Sequence, residues 1–131
     1  MRRIAVIIIG IFMALGIAAV SADASTLPAM DSNATGWSHP HVRPAAIYVG
    51  NGGAPFVLSL SWSHWNQASA YGLGRLHLNA AVHSVGVTLS RPRLHSGREW
   101  FTRMNWSYHT RAGVRKVIHW VLTSRGYWDY G

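Results

Sequence analysis

The stretch Phe56-Val57-Leu58-Ser59-Leu60-Ser61-Trp62-Ser63 decides the fold. Phe56, Leu58, Leu60 and Trp62 alternate with Val57, Ser59, Ser61 and Ser63, the period of two that a half-buried strand requires. Upstream, Gly50-Asn51-Gly52-Gly53-Ala54-Pro55 is a turn cluster, because Asn-Gly and Gly-Gly reach positive φ at little cost. Downstream, Asn66-Gln67-Ala68-Ser69 is the next turn, and Leu76 and Leu78 alternate with Arg75, His77 and Asn79. Gly72 and Gly74 lie two apart on one face of that strand. Trp62 or Trp65 on the neighbouring strand is expected to cover the gap they leave.

The same rhythm continues to the end of the chain. Val85, Val87 and Leu89 alternate with Gly86, Thr88 and Ser90, and Arg91-Pro92-Arg93 is expected to end that strand, since proline cannot donate to a ladder. Trp100, Thr102, Met104, Trp106 and Tyr108 form one face of a further strand, with Arg103, Asn105 and Ser107 on the other. Val114–Leu122 fits helical spacing too, but its β-branched and aromatic content favours a strand. Turns every eight to fifteen residues predict an all-β domain over residues 46–131. The expected form is a small antiparallel sandwich or barrel of about five to seven strands in mainly meander order.

The chain of 131 residues is one domain long. Met1–Ala24 reads as a secretory signal segment of helical type. Arg2 and Arg3 supply the positive start, Ile4–Val20 is apolar throughout, and Ala22-Asp23-Ala24 is a cleavage pattern ahead of Ser25, with Val20-Ser21-Ala22 as a second site. An uncleaved anchor holding an envelope structural protein is the alternative. Residues 25–45, with Pro28, Ser32, Asn33, Gly36, Pro40 and Pro44, read as a flexible lead-in. The expected location is outside the cell, with no membrane span after cleavage.

The stretches Leu60-Ser-Trp62-Ser-His-Trp65, Ala70-Tyr-Gly72-Leu-Gly74, Leu76-His-Leu-Asn79, Val87-Thr-Leu89-Ser90-Arg91-Pro92 and Phe101-Thr102-Arg103 follow one another in order. This order resembles small secreted actinobacterial proteins of unknown function. The resemblance spans about Phe56 to Tyr108 and implies export and a compact β domain, without implying an activity. The family pattern carries a cysteine pair in the connection that is Ala80–His83 here. This chain has Ala80, Ala81 and a shorter loop, so that disulfide is not carried over.

Composition narrows the chemistry. There is no cysteine, which excludes thiolate metal sites and a cysteine nucleophile. Loss of Arg2, Arg3 and Asp23 with the signal segment takes the net charge from +8 to +7. Only Asp31, Glu99 and Asp129 then remain as carboxylates, too few for an opposed glycosidase pair or a metal-oxygen cage. One enzymatic alternative survives, a small hydrolase such as a ribonuclease using Glu99 with a histidine, His83 or His109. His39-Pro40-His41 is the closest histidine pair, expected to be solvated rather than a metal site. No cofactor is expected.

The residues favour a non-enzymatic binding module. In a meander, alternate loops share an end, which gathers Arg91, Arg93, His95, Arg98 and Arg125 at one pole. Such a pole suits an anionic polymer, a cell-envelope component or another protein. Arg91, Arg93 and Arg98 are the candidate contact residues, together with Trp65, which breaks the alternation of its strand and is expected to face outward. Tyr127-Trp128-Asp129-Tyr130 is expected to dock on the domain.

Overall fold

The computed structural model describes residues 27–50 and 52–131. The signal segment, its cleavage site and Asn51 lie outside the described residues. The domain is all-β, with strands β1 (Met30–Asp31), β2 (Pro40–His41), β3 (Ile47–Tyr48), β4 (Phe56–Trp65), β5 (Ser69–Leu78), β6 (Ala81–His95), β7 (Arg98–His109), β8 (Arg115–Leu122) and β9 (Trp128–Tyr130). Strands β3 to β9 form one seven-stranded antiparallel sheet in chain order, a meander curled into a half-barrel, and β1 and β2 pair separately. Among the described residues no helix is long and apolar enough to cross a membrane.

The inner face carries the core. Ile47, Val57, Leu76, Val85, Val87, Leu89, Met104 and Trp106 are buried there, joined by Trp120 and Leu122. Trp106 and Trp120 pack tilted, with ring centroids 5.0 Å apart. The C-terminal aromatic stretch docks as β9: Trp128 is buried, and Tyr130 stacks on Trp120 at 4.7 Å.

Strand β4 departs from simple alternation. Its register against β5 shifts twice, between Leu58 and Ser61 and between Trp62 and His64. Ser59 sits at φ 55° within the first shift. Each bulge inserts one residue and reverses the side from which the next residues project. Phe56 and Leu58 therefore pair on the outer row with His77 and Arg75, while Leu60 and Trp62 turn inward. The second shift brings Trp65 inward as well. Trp62 lies over Gly72, where a Cβ would meet its ring at 2.8 Å, so the expected cover of that glycine is Trp62.

The composition of residues 25–45 predicts a flexible lead-in. Leu27, Ala29, Met30, Asp31 and Ser32 are instead buried. Ala29 bridges Trp100 in parallel, its N–H donating to the Glu99 carbonyl while Phe101 N–H donates to the Ala29 carbonyl, both at 2.9 Å. Four residues on, Asn33 bridges Tyr48, whose N–H donates to the Ser32 carbonyl at 2.7 Å. The segment thus spans the open side of the curl, from β7 to β3. Its Leu27, Ala29 and Met30 side chains join the core, and main-chain bonds anchor it at both ends. The Asp31 carboxylate, fully buried, accepts from the N–H groups of Asn33 and Thr35 and from the Thr35 hydroxyl, at 2.8–3.2 Å.

Pro92 does not end β6. The strand runs to His95, and Pro92 pairs with Phe101. Beyond Ser90 no β5 partner remains, so the missing N–H falls on a locally open edge.

Candidate basic site on the outer face

The outer face of the sheet is assembled from alternate residues of β5 to β8. Across the strands, Ser69, Ser90, Arg103 and Val121 form one row, and Tyr71, Thr88, Asn105 and His119 form the next. Leu73, Gly86, Ser107 and Val117 form a third. The inner partners of these positions are buried, so the outer side chains project to solvent by default.

Two adjoining hollows mark the first two rows. One, of about 270 Å³, is lined by Arg91, Arg93, Thr102, Arg103, Val121 and Leu122. The other, of about 370 Å³, shares Arg91, Arg103 and Val121 and adds Ser90, Asn105 and His119. Arg91, Arg93 and Arg103 are all exposed. Arg91 holds φ 54°, and its carbonyl accepts from the Thr102 hydroxyl at 2.6 Å, which fixes the backbone where the hairpin leaves the sheet. Across the strand, His119 Nδ1 and Asn105 Oδ1 share a 2.7 Å hydrogen bond that sets both side chains. Among the described residues no ion pair joins these three guanidinium groups to a carboxylate. Asp129, the acid nearest in register, has its Oδ1 engaged by the Tyr130 N–H at 2.9 Å.

The structure rearranges the expected site. Arg91 and Arg93 meet, as the pole required, but on a β-hairpin rather than a loop, since only Ser96 and Gly97 separate β6 from β7. Arg98 turns toward the N-terminal segment, where its Nη2 donates to the Leu27 carbonyl at 3.4 Å. Trp65 is not a surface residue: it is 5% exposed, its indole N–H donates to the Pro28 carbonyl at 2.8 Å, and it packs edge-on against Phe101. His95 is stacked under Trp37 at 3.8 Å, and Trp37 in turn donates to the Ser124 carbonyl. Arg103 and His119 were missed as members. Arg103 was legible as facing away from Met104, but its meeting with Arg91 depends on the β6–β7 register.

Glu99 does not meet His83 or His109. It is the second residue of β7 and His109 is the last, about 33 Å away at strand rise. His83 pairs with Leu76 at that same far end. His39 and His41 are each engaged by a hydroxyl of the N-terminal segment, Thr35 at 3.1 Å and Ser32 at 3.2 Å. Among the described residues no group of three or more His, Cys, Asp or Glu is placed to hold a metal ion.

Compared with protein-family models, with curated proteins and with solved structures, the chain shows no significant match.

Proposed function

We propose that this protein is an exported, non-enzymatic binding module that holds an anionic polymer on the basic end of its outer face. The carrying observation is the convergence of Arg91, Arg93 and Arg103 on two adjoining hollows without a paired carboxylate. Guanidinium groups left in water beside one another repel, and a phosphate or sulfate group relieves that repulsion while accepting paired hydrogen bonds. Asn105 and His119 add polar contacts at the rim. Export rests on the Met1–Ala24 segment and on the resemblance to small secreted proteins.

The test is thermal unfolding with heparin at low and moderate salt. Binding to the native state alone raises the melting temperature, by an amount set by ligand concentration over the dissociation constant. A rise at low salt that shrinks at moderate salt supports the reading. A rise indifferent to salt, or none at either, contradicts it.

A further inference from the structure

Tyr71 stands on the outer row of β5, opposite Thr88. A Cβ added at Gly86 would meet the Tyr71 hydroxyl at 2.9 Å and its ring carbons at 3.3 and 3.5 Å, so the ring covers the bare backbone of that glycine. The hydroxyl end of the side chain rests against β6, and the residue is 36% exposed. Leu73, two residues on and opposite Gly86, is 58% exposed and extends the apolar floor. Tyr71 shares a row with Asn105 and His119, and the adjoining row carries Arg103. With strands about 4.8 Å apart and residues about 3.4 Å apart, the Tyr71 and Arg103 backbones lie about 12 Å from each other. A single polymer strand reaches both.

We infer that this face binds single-stranded nucleic acid, with one base stacked on Tyr71 and the adjoining phosphates held by Arg103 and Arg91. The inference rests on the anionic-polymer reading above and narrows it. A cationic track beside an exposed aromatic residue is the arrangement that takes unpaired bases without regard to their sequence. A duplex buries its base faces and offers nothing to Tyr71. A sulfated sugar offers no planar base to stack on the Tyr71 ring. Arginine rather than lysine supplies the cations, and its planar fork suits phosphate.

Fluorescence anisotropy of the purified protein tests this with three probes at equal salt: a short labelled oligodeoxythymidylate, a duplex of the same length, and heparin. The oligodeoxythymidylate is expected to bind more tightly than the duplex. Tyr71→Leu removes the aromatic ring and is expected to weaken the single strand about tenfold. Tyr71→Phe retains binding, which separates stacking from any loss of fold. Equal binding of duplex and single strand, or an indifferent Tyr71→Leu, overturns the inference while leaving the polyanion reading standing if heparin still binds. Heparin preferred over the oligonucleotide, with sensitivity to Tyr71→Leu, overturns it in favour of a sugar polymer. Binding of none of the three removes both readings together.

Discussion

The indole N–H of Trp65 donates to the carbonyl of Pro28 at 2.8 Å, a buried bond between residues 37 positions apart. It ties the end of β4 to the segment that spans the curl. Trp128 makes the companion bond to the Asp31 carbonyl at 3.2 Å. Two indoles from opposite ends of the sheet thus hold one extended segment over the core, and the sheet depends on that segment to complete its cover.

Trp65→Phe is expected to leave the Pro28 carbonyl buried without a donor and to cost about 1–3 kcal/mol beyond the change in packing. Trp106 offers the control: its Nε1 is buried with no partner, so Trp106→Phe removes ring volume but no hydrogen bond. Chemical denaturation of the two variants should show the larger loss of stability at Trp65.

Gly72→Ala is expected to destabilise by about 1–3 kcal/mol, the usual range for overpacking. The added methyl meets the Trp62 ring and the Ser61 carbonyl, and the ring is not free to withdraw, because Trp62 donates to the Pro44 carbonyl at 2.7 Å. A shift in denaturation midpoint checks this.

Gly86→Ala is expected to behave differently. Its methyl meets the far end of a half-exposed tyrosine, which can swing off the sheet at little cost. Stability should change by less than about 1 kcal/mol, while affinity for single-stranded oligonucleotide falls as the ring leaves its position. Melting and anisotropy on the same sample separate the two effects.

Asp31→Ala is expected to lower stability by about 1–3 kcal/mol by leaving the N–H groups of Asn33 and Thr35 without their acceptor. The consequence to measure is hydrogen exchange. Protection should fall at Asn33, Thr35 and Tyr48, where the segment meets β3, before it falls in β6 and β7.

The meander was legible because each strand from β5 to β8 keeps its period of two over many residues. The β4 faces were not, because two bulges reset the alternation, and no residue type in Ser59-Leu60-Ser61-Trp62-Ser63 announces an inserted position. Trp65 looked outward for that reason alone. Within the flexible lead-in expected over residues 25–45 the anchoring is not legible, because backbone bonds to Glu99, Phe101 and Tyr48 leave no side-chain pattern and Leu27-Pro28-Ala29-Met30 is too short a run to show a period. Arg91 and Arg93 could be named from the chain, whereas Arg103 and His119 join them only through cross-strand register. Tyr71 joins the candidate face only through the cross-strand register that sets it beside Gly86 and in the row of Asn105 and His119.

The most direct test of the basic site is the salt dependence of oligonucleotide affinity for the native protein and for a triple variant, Arg91→Ala, Arg93→Ala and Arg103→Ala. Each single-strand phosphate neutralised contributes about −0.7 to the slope of log affinity against log salt. Loss of three contacts should flatten the slope by about 2 and weaken binding at low salt, with the melting temperature little changed. An unchanged slope with unchanged affinity would contradict the account, placing any polyanion binding elsewhere on the chain.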